Sequence, residues 1–227
     1  MRAVVIARPG KPDALAVEDV AEPAAGPEDL LVDVVAAGVN RADLLQAAGR
    51  YGAPAGAPPW PGLEVSGTVS SVGTGVAGWR AGDHVAALLP GGGYAQRVAV
   101  AAGLALRVPD EADLVDAAAL PEALATAWST FTLARLSAGE SVLVRGGSGG
   151  VGTVAVQVAA AMGARVLATA GGPQRCARVR ELGVEVVVDH RAPGFVAAAA
   201  VSTSSSTCSA PADWRRTSRC WPTTAGW

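Results

Sequence analysis

The sequence predicts an α/β chain in two parts, a small β-rich domain followed by parallel β-α-β units. Three observations carry that prediction. Short apolar runs separated by Pro and Gly turns fill the chain up to about Ala102. A glycine-rich turn then joins the apolar run Val142-Leu143-Val144 to a helical pattern. From there strand-like and helix-like stretches alternate, the order expected of a parallel sheet with crossover helices.

In the first part, Leu30 to Val35, Val65 to Val72 and Val85 to Leu89 are strand-like runs. Asn40 precedes the segment Arg41 to Ala48 and is a good N-cap residue for a short helix there. Pro109 to Leu136 reads as helical and leads into the second part. There Ser141 to Val144, Arg165 to Thr169 and Val184 to Asp189 read as strands, Arg165 to Thr169 as a buried one. Thr153 to Met162 reads as a helix stopped by Gly163, and Arg175, Arg178 and Arg180 lie on a polar helix. The expected divisions are residues 1–120, residues 121–200 and a tail of residues 201–227.

Gly147, Gly149 and Gly152 have the G-x-G-x-x-G spacing. One glycine permits the tight turn, one lets the backbone approach a pyrophosphate, and one lets helix pack closely on strand. With Ser148, Gly150 and Val151 they form a candidate cofactor-binding turn whose phosphate would sit on free N–H groups at the helix N-terminus. The alternative is a structural turn without ligand. An NAD site usually carries an acid about twenty residues on, at the ribose 2′-hydroxyl. The window Leu167 to Arg175, which includes Gly171, has none, and the first acid after the glycines is Glu181. NADPH is therefore the expected cofactor, with Arg175 either pairing with its 2′-phosphate or facing water.

Half of the 227 residues are hydrophobic, enough for a buried core, and the formal net charge is −2. That balance argues against nucleic acid or a membrane surface as partner. No run approaches membrane-spanning length, and the N-terminus lacks the apolar stretch of a signal peptide, so a cytoplasmic location is expected. Cys176, Cys208 and Cys220 give no metal-ligand spacing.

Further motifs are Ala37-Gly38-Val39-Asn40-Arg41-Ala42-Asp43-Leu44, Gly49-Arg50-Tyr51, Pro61-Gly62-Leu63-Glu64-Val65-Ser66-Gly67 and Ala87-Leu88-Leu89-Pro90-Gly91-Gly92-Gly93-Tyr94-Ala95. Leu120-Pro121-Glu122-Ala123 and Thr126-Ala127-Trp128 follow. In this order, up to about residue 200, the chain resembles the quinone oxidoreductase branch of the medium-chain dehydrogenase/reductase superfamily, and most of all its p53-inducible type.

The resemblance implies a GroES-like β-rich domain and a Rossmann domain, incomplete here, with NADPH and a small-molecule quinone in the cleft between them. It implies no zinc, because Asn40 and Leu63 stand where the zinc-dependent branch has a ligating Cys and His. Reduction then relies on positioning an electron-poor acceptor. Asn40 and Tyr51 are the implied catalytic residues, the amide bonding a carbonyl oxygen and the phenol orienting the quinone or donating a proton. From the residues alone, Asn40 is equally an N-cap and Tyr51 a packed aromatic. Thr126 matches a residue near the nicotinamide, His190 falls where relatives often have a tyrosine beside the adenosine phosphate or is simply a structural histidine at a strand end, and Asp43 and Glu64 hold the cleft through internal hydrogen bonds. Relatives form homodimers through the later part of the Rossmann sheet. An enoyl-thioester or activated-alkene reductase and a non-catalytic nucleotide-binding protein are the competing functions.

After Ala200 the family pattern stops. Ser202 to Ser209 is almost wholly Ser and Thr, and the tail holds Cys208, Cys220 and three of the six tryptophans. With one Lys against seventeen Arg, the codons are read as GC-rich. Shifting the frame across the tail then yields a segment resembling the family's fourth strand and next helix. A shifted reading frame is thus expected, against a genuine alternative C-terminus.

Overall fold

The computed structural model describes residues 1–11 and 14–194. The tail, with the expected frame shift and the later Rossmann strands, lies outside the described residues. Met1–Glu122 forms one compact unit, and the described residues from Ala123 onward form a second.

The first unit opens with an antiparallel pair, β1 (Arg2–Ile6) and β2 (Leu15–Asp19). Next comes β3 (Asp29–Ala37), then α1 (Arg41–Ala47), β4 (Glu64–Val72), β5 (His84–Leu88), β6 (Arg97–Ala101) and β7 (Ala105–Arg107). Strands β3 to β7 form one antiparallel sheet in the order β6-β3-β4-β5-β7. Alternate residues of its central strands point into one core: Leu30 and Val32 are wholly buried, with Val65, Val69, Val85 and Val100. At Gly67 a β-carbon would lie 2.1 Å from the Asp33 carbonyl oxygen, so only glycine admits β3 this close, beside the register shift between Val34 and Ala36.

The stretch from Pro109 is not one helix. Asp113 caps α2 (Leu114–Ala117) by accepting from the Val115 and Asp116 N–H groups at 2.6 and 3.2 Å. That helix lasts about one turn, and α3 (Pro121–Leu133) starts afresh. Pro121 brings no N–H and pushes Leu120 out of the helical region, so a continuous helix is sterically barred, whereas proline suits a helix start.

The second unit holds a parallel sheet of β8 (Ser141–Val144), β9 (Arg165–Ala170) and β10 (Val186–Asp189), in the order β10-β9-β8. Between them run α4 (Gly150–Ala161) and α5 (Pro173–Glu181). Val156 and Ala159 of α4, Phe131 of α3 and Val179 of α5 pack with Val166 and Ala168 of β9. β10 starts two residues later than expected, because Gly183, at φ 86°, is still closing α5. This is the strand order of the first half of a doubly wound sheet, whose ligands lie outside the carboxyl ends of the strands. No helix among the described residues is long and apolar enough to cross a membrane.

Candidate functional site

The glycine turn lies between the carboxyl end of β8 and the start of α4. Thr169 of β9 pins it from below: the Gly146 N–H donates to the Thr169 Oγ1 at 3.0 Å, and the Gly147 N–H to the Thr169 carbonyl at 2.8 Å. Gly147 is buried against β9, where a β-carbon would come within 2.9 Å of the Ala168 Cβ. Gly149 is the N-cap of α4, and the first i→i−4 bond of that helix runs from the Thr153 N–H to the Gly149 carbonyl. The N–H groups of Gly150, Val151 and Gly152 precede it and are left for a ligand. At Gly150 nothing lies within 4 Å of the place a β-carbon would take, so the turn is open on that side, with Ser148 half-buried beside it. The cradle fits a dinucleotide pyrophosphate.

At the carboxyl ends of β9 and β10, Gly171 and His190 meet: a β-carbon on Gly171 would lie 2.9 Å from the His190 Nε2 and 3.0 Å from the Arg191 Nε. The His190 N–H bonds the Ala170 carbonyl at 3.0 Å, which holds the exposed imidazole there. One carboxylate oxygen of Asp189 accepts from both the Gly172 N–H, at 3.0 Å, and the Arg191 N–H, at 2.9 Å. These two bonds hold the Asp189 carboxyl below its ordinary pKa. Arg175 is exposed in the first turn of α5, which begins just after Gly172.

In the first unit Asn40 is the N-cap of α1. Its backbone N–H donates to the Asp43 Oδ2 at 2.7 Å and its side-chain Nδ2 to the Glu64 Oε1 at 2.8 Å. Asp43 also accepts from the Gly62 N–H at 3.1 Å and from the Tyr94 hydroxyl at 2.9 Å. The second oxygen of Glu64 accepts from the Glu122 N–H, in the first turn of α3, at 2.9 Å. Both carboxylates are almost fully buried. Burial, and then the bond to Asp43, push the Tyr94 phenol above its ordinary pKa. Tyr51 is half-buried in the loop after α1. Thr126 is half-buried in α3, its carbonyl accepting from the Thr130 hydroxyl at 2.7 Å.

Residues 26–110 match the family profile of the alcohol dehydrogenase GroES-like domain, and residues 150–209 that of zinc-binding dehydrogenase. Between them the two cover more than half of the chain. The chain belongs to the medium-chain dehydrogenase/reductase superfamily. Its fold is therefore a GroES-like domain with part of a Rossmann domain. A quinone oxidoreductase from Thermus thermophilus, solved alone and with NADPH, is 38% identical at a TM-score of 0.74, over 89% of this chain and 63% of that one. The CurK enoyl reductase is 28% identical at a TM-score of 0.80, over 89% and 64%. The phthioceranic/hydroxyphthioceranic acid synthase of Mycobacterium tuberculosis is 43% identical over 171 residues, which are 75% of this chain and 8% of the synthase. The chain thus spans under two thirds of the two solved proteins and under a tenth of the synthase.

The second profile's description names zinc, but the residues present do not fit that ion. Among the described residues no three His, Cys, Asp or Glu side chains stand together to hold a metal. Leu63 is a buried hydrocarbon, and the Asn40 amide is turned to Glu64.

Thr169, Asp189, Arg191 and Tyr94 are absent from the sequence-derived site. Thr169 was legible as a lone hydroxyl at the end of an apolar strand, and Asp189-His190-Arg191 as charge gathered at a strand end. Nothing local in Gly91-Gly92-Gly93-Tyr94 announces a bond to Asp43, 51 residues away.

Proposed function

We propose that the chain is an NADPH-dependent quinone oxidoreductase. The observation that carries this is the open glycine cradle of α4, followed by a segment, Leu167 to Arg175, that contains no acid and carries Arg175 into the first turn of α5. The likeness to the Thermus enzyme supports it. When bound, the reduced nicotinamide supplies a hydride. The N–H groups of Gly150, Val151 and Gly152 hold the pyrophosphate, and Arg175 and His190 receive the adenosine phosphate. Asn40 offers its amide to the acceptor oxygen, Tyr51 orients the acceptor, and Thr126 lines the nicotinamide side. No zinc takes part, and a chelator leaves activity unchanged.

A second reading, reduction of an enoyl thioester or other activated alkene, is favoured by the 43% identity to the synthase and by the CurK enoyl reductase. NADPH oxidation measured with a quinone panel and with enoyl thioesters separates the two. Turnover of thioesters alone selects the second, and NADPH binding without turnover of either selects a non-catalytic role. We also propose that residues 201–227 arise from a shifted frame, which sequencing codons 195 to 227 tests directly.

A further inference from the structure

The carboxylate of Glu64 occupies space that any residue other than glycine at position 38 would need. A β-carbon on Gly38 would lie 2.1 Å from the Glu64 Oε1. The Gly38 N–H also donates to the Glu64 carbonyl at 3.2 Å, so the backbone at Gly38 is fixed to the strand that carries the acid. Each carboxylate oxygen has one donor, Asn40 Nδ2 for Oε1 and the Glu122 N–H for Oε2. An ionised carboxylate only accepts, so it dictates which end of the Asn40 amide turns toward it. The nitrogen faces Glu64, one side-chain N–H is consumed there, and one N–H remains for anything else.

We propose that Glu64 is the positioning residue for Asn40, a buried acid that sets the direction of the amide and thereby which donor the acceptor meets. This rests on the reading of Asn40 as the residue that meets the acceptor. Gly38 belongs to the same device, since its missing side chain leaves room for the carboxylate. Asp43 also holds Asn40 through the backbone N–H, a bond that does not depend on the Glu64 carboxylate and can stay when that contact is lost.

Asn40 is the only asparagine of the chain, so selective 15N-asparagine labelling gives one backbone signal and one side-chain NH2 pair. In the full 227-residue chain the two side-chain protons should be strongly inequivalent, one shifted downfield by the carboxylate. A pair at ordinary solvent-exposed shifts would overturn the proposal without any variant. Glu64→Gln has one acceptor oxygen for two donors, and Gly38→Ala displaces the carboxylate without touching either partner. Both should return the pair to ordinary solvent-exposed shifts, leave the Asn40 backbone signal in place, and lower turnover by about tenfold or more at unchanged NADPH affinity, as expected for one lost charge-assisted hydrogen bond. If the backbone signal moves equally, Glu64 merely supports the fold and the proposal fails. If both variants return the pair to ordinary shifts but Asn40→Ala leaves turnover intact, the positioning stands and the catalytic reading of Asn40 falls.

Discussion

The carbonyl oxygen of Gly146 lies only 2.2 Å from the place a β-carbon on Gly152 would take, and the Gly147 Cα is 2.9 Å from it. The obstacle is backbone, which cannot rotate away. Gly152→Ala should therefore open the turn, destabilise the second unit by about 1–3 kcal/mol and abolish dinucleotide binding. Thermal melting and a fluorescence titration with NADPH measure the two effects, and an unchanged titration would mean that the turn holds no pyrophosphate.

Arg175 bears on the choice between the two nicotinamide cofactors. Arg175→Ala should weaken NADPH binding by about 1.5–3 kcal/mol and leave NADH nearly unchanged. Parallel titrations with both cofactors check this. An equal loss for both would assign the guanidinium to folding instead of to the 2′-phosphate.

Tyr51→Phe removes a hydroxyl and little else. Turnover with a quinone should fall while the NADPH dissociation constant holds, because the phenol acts on the acceptor. Steady-state kinetics alongside equilibrium binding separate these, and full activity would make Tyr51 a packing residue.

Asp189 makes the protein acid-sensitive in a defined direction. Its folded pKa is depressed below 3.8 by the Gly172 and Arg191 N–H groups, so the unfolded chain binds the proton more readily in that range. The stabilisation is present above the unfolded value and is lost as pH falls through the folded one. Asp189→Asn should lower stability at neutral pH and flatten the acid limb below about pH 4, so that the two proteins converge as the pH falls. Urea midpoints measured across that range report it, and identical acid limbs would show that the two N–H bonds do not form.

The second unit was the more legible part of the sequence. Its strands read as continuous apolar runs, of which the central β9 is the buried one, and Gly163 and Gly183, both at positive φ, mark where helices end. In the first unit β2 was hidden, since Leu15 and Val17 are exposed and give no inward-facing alternation. β7 is three residues at a sheet edge, too short for any period to register. The pairing of β3 with both β4 and β6 joins segments far apart in sequence, and no local pattern specifies it. The site divided in the same way. Glycine spacing marks Gly147 to Gly152 directly, whereas the partners of Asp43 come from Gly62 and Tyr94 and emerge only once the sheet is closed.

That convergence on Asp43 also constrains how the molecule comes into being. Its donors are Asn40, Gly62 and Tyr94, so its charge is compensated only after loops separated by up to 51 residues have been drawn together. In a chain that has closed α1 but not yet docked the glycine-rich loop, the same carboxylate would be losing water with too few donors to replace it, which penalises premature burial. The Asp43 cluster is thus assembled late, and a chain caught before that point would lack the finished surroundings of Asn40 on which the proposed function draws.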